Sequence, residues 1–353
     1  MKKIALFQSD LQVGGIQKSL LNLLNLIDLT EYEVDLFLFS KGNFFRSSIP
    51  SKVNVYEMEA YPSYNKLMPF SVVKKMYGKS VDRKKQYDVA IDFNSYWNEC
   101  AVGAICANAK RRIMWIHTDI ERRYEDNKKF RVLFNQFKSK FKYYDEFVAV
   151  SQGAADAFRA VTGINDKKIT VIPNLVNVNE ILSLKEEKTD FVPEEGCVNI
   201  MAMGYLAPVK GYDEMLKHMK EACQARDDLR LYIIGDGPLK EELHNLCAQY
   251  AIDKKVYFLG NQQNPYRYLQ KADAFIMTSR YEGQGIALRE AQCLGLQLLF
   301  PKRLEKYNDG LKGCENLTDA MIHLQKAEKN PDMLTEYTEN ILRSFSELVG
   351  ADS

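Results

Sequence analysis

The residues of this 353-residue chain most able to do chemistry are a pair of carboxylates around a glycine-rich turn, Glu282 and Glu290 in TSRYEGQGIALREAQCLG. Glu282 precedes the turn and Glu290 lies on the helix that the turn begins, with seven residues between them. If that helix starts near Gln284, the amides of Gln284, Gly285 and Ile286 point back from its N-terminus and form an anion site. A carboxylate accepting two hydroxyl hydrogen bonds suits a ribose or a hexose, because vicinal hydroxyls match its two oxygens. A capping glutamate followed by a solvated one fits the same letters.

Two further segments have the composition of phosphate turns. In MAMGYLAPVKGYDEML a strand ends at Gly204, and Lys210 precedes Gly211 and a helix, where a lysine can neutralise a diphosphate. In QVGGIQKSLLNLLNLI, Gly14 and Gly15 open an apolar-periodic helix whose free N–H groups and dipole favour a phosphate. A surface lysine and a simple chain reversal remain equally open readings. His117 is the one histidine of four that falls in a strand-end loop, WIHTD; His218, His244 and His323 lie in helical segments with charged neighbours. A lone histidine of this kind also serves purely structural ends.

These segments need strands to present them, and the strands are legible. KIALFQ, EVDLFLFS, VNVYEM, DVAIDF, RIMWIH, EFVAVS and ITVIPN read as one set; CVNIMAMG, LRLYIIGDG, KVYFLG, AFIMTS and LQLLFP read as a second. Helical periodicity alternates with them, which predicts an α/β fold of two doubly wound, Rossmann-like parallel-sheet domains. A chain of this length exceeds one comfortable core, and two domains leave a cleft between them. Pro173 in IPNLVNVNEI interrupts the last strand of the first set, so the expected domains are 1–174 and 175–335. The segment 336–353, with Ile341, Phe345 and Leu348 at helical spacing, is expected to pack back on the first domain.

Composition narrows the setting. Seven scattered cysteines with no CxxC pair argue against disulfides and a zinc site and favour the cytoplasm. No apolar run is long enough to cross a bilayer, and the start, MKKIALFQSD, meets a polar residue too soon for a secretory signal. The net charge of +1 divides unevenly, with 24 Lys+Arg against 17 Asp+Glu in residues 1–150 and 24 against 30 in the remainder. Nucleic-acid binding is disfavoured by the near-neutral total and the lack of a reading module. Two basic stretches, 66–85 and 128–143, suggest contact with anionic lipid at the inner face of the cell membrane. In the second, Phe130, Leu133, Phe134, Phe137, Phe141 and Tyr144 form a stripe that fits a core-facing helix with a basic back at least as well.

The carboxylate pair in EGQGIALREA resembles the signature of family 4 glycosyltransferases, and GGIQ, VSQG, IPN, GYLAPVKG, LYIIGDGP, VYFLG and SRYEG fall in that family's order over nearly the whole chain. The resemblance implies a GT-B fold and transfer, with retention and without a metal, of a hexose or N-acetylhexosamine from a nucleotide diphosphate sugar, with UDP favoured. The acceptor implied is a glycan or lipid-linked sugar of a capsular or other cell-surface polysaccharide, and no cofactor is implied. Carried over residue by residue, Glu290 binds the donor ribose, Glu282 contacts the transferred sugar, Lys210 holds the diphosphate, and Gly15 and His117 stand beside donor sugar and acceptor. The catalytic set is then His117, Lys210 and Glu282, and the donor set adds Gly14, Gly15, Gly204, Tyr205, Gln284, Gly285, Ile286 and Glu290. Tyr205 stands where the family usually has an arginine, and LQLLFPKRLEKYNDGL replaces the family's proline and later loop. The departures keep two alternatives open: an inactive or non-enzymatic nucleotide-sugar-binding relative, and a GT-B nucleotide-sugar epimerase.

Overall fold

The computed structural model describes every residue except 13, 41–43, 80, 82, 95 and 351–353, and all but the side chain of Lys66 among the rest. It divides into two compact units, residues 1–175 with 336–353 and residues 176–335.

The first unit is built on a parallel sheet of seven strands: β1 (Lys2–Gln8), β2 (Tyr32–Leu38), β3 (Asn54–Glu57), β4 (Tyr87–Asp92), β5 (Ala109–Ile116), β6 (Glu146–Ala149) and β7 (Ile169–Val171). Their order across the sheet is β3-β2-β1-β4-β5-β6-β7. Successive side chains of a strand point to opposite faces, and both faces are covered. Ile4 and Leu6 of β1 join one buried cluster while Ala5 and Phe7 join the other. The helix Asn98–Cys106 approaches β1 so closely that a Cβ on Gly103 would lie 2.3 Å from the Phe7 ring. On the opposite face, Ser19 and Asn22 of the helix Gly15–Leu26 hydrogen-bond Asn174 Oδ1 and the Leu175 carbonyl at 2.5 and 2.7 Å. Together they hold the end of the unit against the sheet.

The second unit carries a parallel sheet of five strands, β8 (Val198–Met203), β9 (Leu229–Ile234), β10 (Val256–Gly260), β11 (Ala274–Ile276) and β12 (Gln297–Leu299), in the order β10-β9-β8-β11-β12. Each of the twelve strands overlaps one run read from the sequence, with β1, β2 and β4 starting one residue earlier and β5 three residues earlier. The alternation with helices is the expected α/β pattern of two Rossmann-like domains. The helix Thr335–Gly350 ends the described chain by packing Ile341, Phe345, Leu348 and Val349 into the first unit's core. Phe345 is 1% exposed and meets Tyr32 edge-on at 5.8 Å between ring centroids.

The 128–143 stretch resolves in favour of the core. Phe130, Phe134, Phe137, Phe141 and Tyr144 are buried together, and Leu133 is half-buried against them. The basic back, Lys128, Lys129, Lys138 and Lys142, faces solvent along with Val132, while Lys140 is fully buried. The 66–85 stretch differs, because its helix Phe70–Tyr77 buries Phe70 and Val73 but exposes Val72 and Met76. Part of that stretch, residues 80 and 82 and the Lys66 side chain, lies outside the described residues. Among the described residues no helix is long and apolar enough to cross a membrane.

Truncating a fully buried phenylalanine removes its transfer energy and leaves a cavity, so Phe345→Ala is expected to destabilise the first unit by about 3–5 kcal/mol. Denaturant unfolding of the full chain measures this, and a loss below about 1 kcal/mol would mean that the last helix is not integral to that core.

Candidate functional site

In an open parallel sheet, ligands bind beyond the carboxyl ends of the strands, at the point where the strand order reverses. In the second unit that point lies between β8 and β11, which are neighbours with β9 and β10 to one side and β12 to the other. Lys210 follows β8 and Glu282 follows β11, and the two meet: Lys210 Nζ lies 2.6 Å from Glu282 Oε1. Ser279 Oγ donates to the same oxygen at 2.6 Å. The lysine side chain is 32% exposed and the glutamate 12%, so the pair is partly exposed and not in the core.

The loop geometry that joins them rests on one glycine. After β8 the chain turns through Gly204, leaves Tyr205 64% exposed, and forms a short 3-10 turn, Pro208–Lys210. Gly211 then takes the left-handed conformation at φ 65° and starts the helix Tyr212–Ala225. A Cβ there would sit 2.3 Å from the Thr278 carbonyl oxygen, so no larger residue fits. Thr278 Oγ1 donates to the Gly211 carbonyl at 2.8 Å, and the Arg280 amide to the Val209 carbonyl at 2.8 Å. Arg303 grips Glu214 with two bonds of 3.0 and 2.9 Å and also donates to the carbonyls of Thr278 and Ser279. The lysine loop and the glutamate loop are therefore one fastened piece.

Glu290 has a different partner. It is 5% exposed on the helix Ile286–Cys293 and accepts from Tyr266 Oη at 2.7 Å. Burial, together with the Glu290 charge, pushes the Tyr266 phenol well up. The expected anion site of three amides is narrowed by the structure, because two of them are engaged. Gly285 N donates to Asn308 Oδ1 at 3.0 Å, and Ile286 N donates to the Gln284 carbonyl at 3.1 Å. The second bond closes an inverse γ-turn at Gly285, φ −81° and ψ 77°, which delays the helix start to Ile286. Sequence reasoning missed Ser279, although it lies in the TSRYEG run. It also missed Tyr266 and Asn308, which lie 24 and 23 residues from their partners and share no motif with them.

In the first unit the strand order reverses between β1 and β4. Gly14 and Gly15 follow β1, His117 follows β5, and Phe93 follows β4. Gly14 is extended at φ 178° and caps the helix Gly15–Leu26, and a Cβ on Gly15 would meet nothing within 4 Å, so that helix end stands clear. Beside it the Asp10 carboxylate already takes the Gln12 amide and Gln17 Nε2 at 3.0 and 2.8 Å, a negative charge that a phosphate there would have to tolerate.

His117 Nε2 is buried without a hydrogen-bond partner among the described residues, and the nearby Phe93 backbone carbonyl partly offsets the effect of burial on the ring. The ring packs 4.6 Å from the Phe93 ring. Burial lowers its pKa to about 3. A neutral imidazole is suited to hydrogen bonding, not to taking a proton at neutral pH. Behind it, Tyr144 Oη donates to Asp92 Oδ2 at 2.5 Å, and Lys140 is buried in the same cluster. Burial pushes Asp92 up and Lys140 down, and each charge counteracts the shift of the other.

Residues 185–300 match the family model of glycosyl transferases group 1, and residues 13–180 match that of Glycosyltransferase Family 4. Joined to two Rossmann-like parallel-sheet domains, these matches define the protein as a glycosyltransferase of the GT-B fold. An uncharacterized glycosyltransferase of Methanocaldococcus jannaschii is 23% identical over 66% of this chain, which spans 60% of that relative. The N-acetylgalactosamine-N,N'-diacetylbacillosaminyl-diphospho-undecaprenol 4-alpha-N-acetylgalactosaminyltransferase of Campylobacter jejuni is 26% identical over 82% of this chain and 78% of its own. The crystal structure of Anabaena HepE in complex with UDP and glucose superposes with a TM-score of 0.68 at 16% identity, covering 99% of this chain and 100% of that one.

The His117 shift has a signed consequence for stability. Below about pH 6.5 the unfolded chain takes up a proton that the folded imidazole refuses until about pH 3, so this contribution is present at neutral pH and declines as acid is added. Denaturant unfolding at pH 7 and pH 5 is expected to show a smaller acid loss in His117→Gln than in the natural protein. Equal losses would mean that His117 titrates normally.

Proposed function

We propose that this glycosyltransferase moves a hexose or N-acetylhexosamine from a UDP-sugar to a glycan or lipid-linked acceptor, with retention at the anomeric carbon and without a metal. The observation that carries the reading is the Lys210–Glu282 contact at the reversal point of the second sheet. A partly exposed cation on a loop fixed from both sides is preorganised for a diphosphate. A donor entering there exchanges one partner for another. Its phosphates take Lys210, and the released Glu282 accepts hydroxyls of the sugar. Glu290, already oriented by Tyr266, is the carboxylate for the ribose. As the bond from the anomeric carbon to the leaving phosphate breaks, Lys210 stabilises the growing charge. The acceptor hydroxyl attacks from the same face and gives its proton to the leaving phosphate. The neutral His117 imidazole hydrogen-bonds a sugar hydroxyl, and the Gly14–Gly15 helix end, open at Gly15, takes a phosphate.

The C. jejuni relative's printed activity on an undecaprenol-linked substrate supports a lipid-linked acceptor in surface-polysaccharide assembly. The first unit has a surface suited to lipid. Leu67, Val72 and Met76 are 68%, 43% and 47% exposed, with Lys75 and Lys79 beside them in sequence. Apolar insertion next to positive charge is the chemistry of an anionic membrane face, and it supports the reading of a protein at the cytoplasmic side. One observation favours a second reading: Tyr205 supplies no charge to the diphosphate, as an inactive sugar-nucleotide-binding relative would tolerate.

Removing a preorganised charge of this kind costs on the order of a hundredfold in turnover, so Lys210→Ala is expected to be nearly inactive with a UDP-sugar. Thermal shifts with UDP-, GDP- and ADP-sugars test the donor, because only a binder of the folded state raises the melting temperature. More than half the activity in Lys210→Ala would remove the lysine from the mechanism, and UDP-sugar binding without turnover would favour the inactive relative.

Sedimentation with anionic vesicles is expected at low salt and is expected to weaken at high salt. Leu67→Asp with Met76→Asp should abolish it. Failure of the natural protein to sediment at low salt rules out this surface.

A further inference from the structure

The two carboxylates of the second unit are held in different ways. Glu282 meets Lys210 and Ser279 through one oxygen at a partly exposed position. Glu290 is 5% exposed, and the Tyr266 phenol that donates to its Oε1 at 2.7 Å is 4% exposed. A phenylalanine would fill the same space with no hydroxyl to satisfy, whereas a buried phenol is costly unless its proton has an acceptor. Burial pushes that phenol well up, so it remains a donor throughout the neutral range.

Tyr266 is itself tied down. It opens the short helix Tyr266–Leu269, and its backbone amide donates to Asn264 Oδ1 at 3.1 Å. Asn264, also buried, donates through Nδ2 to the Leu184 carbonyl at 2.6 Å and to Glu187 Oε2 at 2.9 Å. Both ends of its amide are therefore engaged. Arg267 and Gln270 add bonds to the Lys188 and Lys185 carbonyls, which fasten the short helix to the end of the helix Val178–Leu184 and the turn after it. The helix Val178–Leu184 also packs on the helix Ile286–Cys293, which carries Glu290. The carboxylate and the phenol that meets it are thus braced against one and the same segment.

We propose that Tyr266 is a positioning residue for the donor ribose: its hydroxyl, braced through Asn264, aims the Glu290 carboxylate at a ribose hydroxyl and makes the site select ribonucleotides over deoxyribonucleotides. The inference rests on the reading of Glu290 as the ribose carboxylate, and Tyr266 acts through that side chain. A glutamate side chain has several rotatable bonds. Holding it in one orientation before the nucleotide arrives removes part of the ordering cost of binding. A site built to hydrogen-bond a ligand hydroxyl also rejects the analogue that lacks it far more strongly than an apolar pocket rejects a missing methylene.

The test measures binding to the full chain by calorimetry, with UDP, 2′-deoxy-UDP and 3′-deoxy-UDP as probes, and so needs neither acceptor nor turnover. The natural protein is expected to bind UDP about tenfold or more tighter than at least one of the deoxy nucleotides. Tyr266→Phe keeps the ring and should weaken UDP about three- to tenfold while leaving the disfavoured deoxy nucleotide within about twofold, so that the preference narrows. Asn264→Ala, which leaves the phenol in place, should narrow it less, and Glu290→Ala should erase it. A folded Tyr266→Phe that weakens all three nucleotides by one factor, or weakens none, overturns the proposal, since a merely structural tyrosine does not tell the ligands apart. If Tyr266→Phe does not fold, an unchanged preference in Asn264→Ala overturns it equally. A different outcome removes the ribose role of Glu290 itself, and the proposal with it: equal binding of all three nucleotides by the natural protein, or a preference that survives Glu290→Ala.

Discussion

The second unit depends on the contact between a left-handed glycine and the backbone of a neighbouring strand end. Gly211 allows the chain after β8 to press against Thr278 just beyond β11, where any Cβ would collide with a carbonyl. That approach permits the Thr278, Arg280 and Arg303 hydrogen bonds, which in turn set Lys210 against Glu282. Loops at a sheet's carboxyl edge are ordinarily its most variable parts. Here two of them act as one because their backbones meet at Gly211 and the Arg303 side chain ties both sides together.

The first unit solves a related problem differently. Its strand ends carry polar contacts, Tyr144 on the buried Asp92 in one place and the run from Asn94 through Ser9 and Asp10 to Gln17 in another. A fully buried lysine is uncommon, and its presence in the aromatic layer of residues 130–147 shows that this layer is more than packing. The His117 imidazole is kept neutral by burial, which restricts it to hydrogen bonding at physiological pH.

A free-state ion pair between Lys210 and Glu282 also bears on specificity. A partly exposed pair contributes little to stability by itself, so little is lost when a ligand separates it. A ligand that offers an anion for the lysine and hydroxyls for the glutamate satisfies both groups, whereas a bare anion leaves the glutamate unpaired. Discrimination against simple phosphates would follow from that asymmetry.

How much of this was legible follows from the range of each interaction. Strand runs and crossover helices are written in local periodicity, so all twelve strands and the two-sheet α/β plan can be read from the residues, and the order of family-like motifs marks Lys210, Glu282 and Glu290. The stripe at Phe130, Phe134, Phe137 and Phe141 announced an apolar face but not its partner, since core and lipid demand the same spacing. Helix starts depend on single bonds from distant residues, and Asn308, by taking the Gly285 amide, undid the expected trio of free N–H groups. Tyr266 on Glu290 and Tyr144 on Asp92 join positions far apart in the chain, with no local pattern to announce them. The sequence by itself determined which residues carry charge and which strand ends present them. Only the tertiary structure decided which of those charges meet, because that depends on loops brought together across the sheet and on the burial that tunes them.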